Sequence, residues 1–90
     1  MAVNKEDVLA QVLRSIKELS YHHIGDKLDV EDPSKLALND DLWLDELDRI
    51  ELIMELEEHY EIEIDDAKVE AAVTVGDVVD LVTKLVEELG

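Results

Sequence analysis

Asp41-Leu42-Trp43-Leu44-Asp45-Glu46-Leu47-Asp48-Arg49-Ile50-Glu51-Leu52-Ile53-Met54-Glu55-Leu56-Glu57-Glu58 is the stretch on which the fold of this chain turns. Asp45 has the side chain of a helix N-cap, and Asp48 follows three positions later, where a second carboxylate can reach back. A helix is predicted from there to His59 or Tyr60. At about 100° per residue, Leu52, Ile53, Leu56 and Tyr60 share one side of it. Leu47, Ile50 and Met54 share another, with Asp48, Glu51, Glu55 and Glu58 along one flank and Glu46 and Glu57 along the other. A helix in a small bundle needs only one buried face. A second apolar stripe edged by carboxylates has the make-up of a docking surface, its centre giving affinity and its rim giving steering and register. The same three side chains would also suit a wide core face with the acids as solvated filler, and Met54 is at home in either setting.

Working outward, Pro33-Ser34 marks a turn within a long connection over 29–44, and Leu36, Leu38, Leu42 and Leu44 are spaced to pack that connection down. Upstream, Asn4 with Asp7 opens a helix over 5–19, where Val8, Leu9, Val12, Leu13, Ile16 and Leu19 recur at helical spacing. The pattern extends weakly through Ile24 to about residue 27. Downstream, Glu61-Ile62-Glu63-Ile64 alternates like a strand. With no second strand to pair with, it is expected to be an extended linker whose isoleucines enter the core. Asp65 caps a short helix over 66–72. Thr74 with Asp77 caps a final helix with Val75, Val78, Val79, Val82, Leu85, Val86 and Leu89 on its apolar face. The expected architecture is an all-α bundle of three longer helices and one short one, a single domain over residues 1–90.

Twenty-five acidic residues against eight basic ones give a formal charge of −17. Phosphate backbones would repel such a chain, so nucleic acid is excluded as a partner, and basic protein surfaces or cations are favoured. Aromatic residues are confined to Tyr21, Trp43 and Tyr60, so the core is aliphatic. The absence of cysteine removes disulfides and thiolate metal sites and fits a reducing, cytoplasmic setting. Neither a leader pattern nor an apolar run of about 18 residues is present, so no membrane span is expected.

The order and spacing of several fragments make the chain resemble the acyl carrier proteins. Asp45-Glu46-Leu47 stands where that family has Asp-Ser-Leu, and Ile50-Glu51-Leu52-Ile53-Met54-Glu55-Leu56-Glu57-Glu58 is similar to the acidic helix that follows. Ile24-Gly25-Asp26-Lys27-Leu28-Asp29-Val30, Ile62-Glu63-Ile64-Asp65-Asp66 and Thr74-Val75-Gly76-Asp77-Val78 are similar to the family's other landmarks. The likeness covers roughly residues 16–88, which makes residues 1–15 an N-terminal extension of the first helix. It implies a small four-helix bundle of acyl-carrier type. It also implies a role in fatty acid, polyketide or related biosynthesis, and docking of basic enzyme surfaces through the acidic helix. The partner-binding set that follows is Trp43, Asp45, Leu47, Asp48, Ile50, Glu51, Met54, Glu55, Glu57 and Glu58.

In the family, the serine of the triplet carries phosphopantetheine. Here Glu46 holds that place. A carboxylate attacking the β-phosphate of coenzyme A would give a mixed anhydride, which hydrolyses readily, whereas a hydroxyl gives a stable phosphodiester. Ser15, Ser20, Ser34 and Thr74 lie away from the loop–helix junction. No phosphopantetheine is therefore expected unless position 46 is natively serine. Trp43 and Leu44, where the family has small residues, favour natural divergence over an ordinary carrier whose serine was replaced. Trp43 either anchors a partner or packs the loop against the bundle. An acidic divalent-cation-binding domain is the alternative from a different class. Asn39, Asp40, Asp41 and Asp45 offer oxygen ligands without the glycine an EF-hand loop needs. Adjacent His22 and His23, with His59 far along the chain, make no dedicated metal site. No nucleophile–base constellation or glycine-rich phosphate loop appears, so an enzyme is not expected, and a monomer is.

Overall fold

Val8, Val12 and Ile16 are fully buried, and the helix that presents them, α1, runs Lys5–Leu19. The computed structural model describes residues 4–19 and 28–89. The expected extension of α1 toward residue 27 lies outside the described residues, as do Ser20, Tyr21, His22 and His23. Beyond α1 come a 3₁₀ turn at Pro33–Lys35, α2 at Glu46–Tyr60, α3 at Asp66–Ala71 and α4 at Val75–Leu89. The described residues thus hold three helices of 15 residues and one of 6, the small all-α bundle that the apolar periodicities predict.

α1 packs on both α2 and α4, and the 3₁₀ turn packs on α4. α4 contributes Val75, Val78, Val79 and Val82 to the core, while Leu85 and Val86 are half-buried and Leu89 is exposed. One aliphatic cluster joins these to Leu52, Ile53 and Leu56 of α2. Burial of that apolar face, more than helix propensity, holds helices of this length in place.

The connection before α2 is pinned at both ends. Leu38, Leu42 and Leu44 are buried in the core and Leu36 is half-buried. Leu38 N–H donates to Val73 O and Val75 N–H donates to Leu36 O, each at 2.9 Å, around an isolated antiparallel bridge between Ala37 and Thr74. Gly76, in the first turn of α4, allows this close approach: a Cβ there would lie 2.9 Å from the Ser34 carbonyl oxygen. The Glu61–Ile64 segment forms no strand. Glu61 ends α2 in the left-handed region (φ 55°), and Ile62 and Ile64 plug the core from an extended linker, as their alternation predicts.

Candidate functional site

The start of α2 is built by two reciprocal carboxylates. Asp45 Oδ1 accepts from Asp48 N–H at 2.8 Å, and Asp48 Oδ2 accepts from Asp45 N–H at 3.3 Å. Two backbone donors that a helix N-terminus would leave open are thereby satisfied. Both side chains are committed to this cap, so any contact they make with a partner uses their remaining oxygens. Glu46 is the first residue of α2 and is solvent-exposed. Trp43 lies just ahead of the cap, its N–H bonded to Asn39 O at 3.0 Å and its backbone in the left-handed region (φ 55°). The residue is 73% exposed.

Leu52, Ile53 and Leu56 face inward and Tyr60 is half-buried, as the helical periodicity predicts. Leu47 is 62% exposed, Ile50 47% and Met54 59%. The wide-core-face alternative for these three is therefore overturned. Around them, Glu46, Glu51 and Glu58 are exposed. Glu55 is half-buried and turned toward Ser15 and Glu18 of α1. Burial first, and then the neighbouring Glu18 carboxyl, hold Glu55 above the ordinary glutamate range. Glu57 is half-buried, and its Oε2 accepts from Ile64 N–H at 2.9 Å, which fastens the linker to α2. Trp43, Leu47, Ile50 and Met54 thus give the apolar surface, edged by Glu46, Glu51 and Glu58, with Glu55 and Glu57 partly drawn into the bundle.

Sequence reasoning passed over Arg49. Its side chain reaches from the acidic helix to the C-terminal end of α3, where Nη2 donates to Val69 O and Ala72 O, each at 2.7 Å. The one available signal was a lone cation in an acidic helix.

The hydroxyls lie elsewhere. Ser15 is fully buried and accepts from Gln11 Nε2. Ser34 donates to Asp32 in the 3₁₀ turn. Thr74 Oγ1 accepts from Asp77 N–H at 3.1 Å as the cap of α4. Among the described residues, no three His, Asp or Glu side chains come together as a metal site, and no helix is long and apolar enough to cross a membrane. His59 is exposed, with its ring edge-on to Tyr60 at 4.7 Å between centroids.

A family model described as "Phosphopantetheine attachment site" matches residues 23–82, two thirds of the chain. Acyl carrier proteins from three Clostridium perfringens strains (SM101, ATCC 13124 and 13) are each 46% identical over 68 residues, which cover 72% of this chain and 90% of each relative. The chain belongs to the acyl carrier protein family. Members of this family are carriers, not enzymes, and biosynthetic enzymes are their partners. The family's prosthetic group is phosphopantetheine. The matched segment takes in the cap, all of α2 and the exposed Leu47, Ile50 and Met54.

Proposed function

We propose that this chain is a carrier-family docking module of fatty acid, polyketide or related biosynthesis. It engages a cationic enzyme surface through α2 and takes no phosphopantetheine. The observation that carries the docking half is the exposure of Leu47, Ile50 and Met54 on a helix whose inward needs are already met by Leu52, Ile53 and Leu56. Apolar side chains grouped in this way, between acids on a chain of charge −17, suit a partner with an apolar seat and a basic rim. Trp43 adds an exposed aromatic anchor beside the group. Glu51 and Glu58 complete the contact set with exposed carboxylates, joined by Asp45, Asp48, Glu55 and Glu57 through the oxygens their internal bonds leave open.

The second half rests on Glu46. The attachment position offers a carboxylate where the chemistry needs a hydroxyl. The hydroxyls of Ser15, Ser34 and Thr74 are buried or bonded elsewhere. The residues present do not fit the prosthetic group. Trp43 supports natural divergence over a single replaced serine: a bulky residue is held at positive φ where the family has a small one. In this proposal residues 1–90 are one carrier domain, with residues 1–15 extending the first helix, and the protein is a cytoplasmic monomer.

Incubation with a phosphopantetheinyl transferase and coenzyme A, followed by intact-mass measurement, tests the proposal. The unsubstituted chain is expected to keep its mass, and Glu46→Ser to gain one arm. A mass gain by the unsubstituted chain would overturn the armless half. Failure of Glu46→Ser to be modified would count against α2 as a carrier-type docking helix.

A further inference from the structure

The six residues of α3 are too few to be stable as a helix on their own. None of its side chains is fully buried. Val69 is half-buried, and the cap residue Ala72 is buried just beyond the helix. Leu38, Leu52, Ile53, Val69 and Val78 meet beneath it in an aliphatic seam, and the gap they leave is too small for a water molecule. Arg49 closes that seam, and its Nη2 group donates to Val69 O and Ala72 O at 2.7 Å each. These carbonyls lie at the C-terminal end of α3, the negative end of the helix dipole, and Val69 O also accepts from Ala72 N–H at 3.1 Å. A charge-assisted bond to each is the strongest polar tie a short helix can be given. Arg49 Nε, in contrast, is buried and has no hydrogen-bond partner among the described residues. Opening would hydrate Nε and restore a bond that the closed arrangement lacks, which lowers the cost of release.

We propose that Arg49 is a latch: its guanidinium straps α3 onto α2, and its release lets α3 lift from the aliphatic seam while the α1–α2–α4 bundle stays folded. Such local opening draws on a segment with little buried surface of its own, the kind that detaches well below the cost of global unfolding. The latch does not depend on the docking surface or on Glu46. It works from the opposite side of α2, and its failure would leave the function proposed above untouched.

Native-state amide hydrogen exchange tests it on the full chain. In Arg49→Met, which keeps an apolar stem and loses the donors, the Ala72 amide and its neighbours in α3 are expected to exchange about tenfold faster or more. Amides of Val12 in α1 and of Val79 and Val82 in α4 are expected to keep their rates. Equal acceleration everywhere, or none in α3, would overturn the latch. The unsubstituted chain gives a second readout that does not depend on the variant folding. Its Ala72 amide, bonded to Lys68 O and Val69 O, should exchange with weak urea dependence while Val79 and Val82 show the strong dependence of global unfolding. An Ala72 amide that follows the global urea dependence would also overturn it.

Discussion

Trp43 combines two costs at one residue: a left-handed backbone (φ 55°) and a bulky aromatic residue left 73% exposed. For a residue with a Cβ, the left-handed region costs about 1 kcal/mol, and strain of this kind gathers where function requires it. Trp43→Gly is therefore expected to stabilise the fold by about 0.5 kcal/mol, after allowing for glycine's greater freedom in the unfolded chain. Urea unfolding measures that change, and binding of a partner enzyme should weaken in the same variant. A loss of stability would show that the indole packs the loop. Thr83 presents a different conflict. It is buried on α4, and its Oγ1 has no hydrogen-bond partner among the described residues. Thr83→Val replaces the hydroxyl with a methyl of similar shape, and the midpoint of urea unfolding should rise by an amount equivalent to about 1 kcal/mol. A fall would mean that the hydroxyl is satisfied in solution.

In the proposed function α2 serves both the core and a partner, and truncations along it should separate the two. Leu52→Ala and Leu56→Ala remove buried side chains and should cost about 2–5 kcal/mol each. Ile50→Ala and Met54→Ala remove exposed ones and should cost less than about 1 kcal/mol while weakening enzyme docking. A stability loss at Ile50 or Met54 as large as that at Leu52 would place the exposed stripe inside the bundle. The helices and their starts were legible in the sequence because their signals are local. Asp45 with Asp48, and Thr74 with Asp77, lie three residues apart, and each pair closes on itself. The two stripes of α2 were legible because 3.6-residue periodicity separates them. Arg49 was not, because its acceptors lie 20 and 23 residues away and leave no mark on the local pattern. The bridge between Ala37 and Thr74 is hidden for the same reason. The left-handed backbone of Trp43 and Glu61 was missed because neither is the glycine that usually signals it.

For the whole molecule the decisive quantity is charge density. Twenty-five acids and eight bases share a body of 36 × 26 × 20 Å. Among the described residues only Lys5–Asp80 (2.8 Å) and Lys35–Asp32 (3.9 Å) form ion pairs between side chains, both solvent-exposed. At about 10 mM salt the screening length of about 30 Å spans the molecule, so every carboxylate repels the rest. At about 150 mM it falls to about 8 Å and only neighbours interact. Raising salt between those limits should raise the melting temperature. Protonation relieves the same repulsion, and Glu55 sets where this starts. Its folded-state value lies above the ordinary one, so the folded chain holds that proton more tightly than the unfolded chain does. Stability should therefore increase as pH falls from 7 toward the unfolded glutamate value of about 4.3. Asp77 works in the opposite sense. The N–H groups of Val73 and Thr74 hold its carboxylate below the ordinary aspartate value. Its contribution is complete above that value and is lost as pH falls below about 3.9 and on through the folded-state value. The melting temperature should accordingly climb as pH falls from 7 and turn down once pH drops below about 3.9, and Glu55→Gln should flatten the climb on the neutral side. A melting temperature that only falls from pH 7 downward would mean that attractive pairs, and not crowded carboxylates, govern the electrostatics of this bundle.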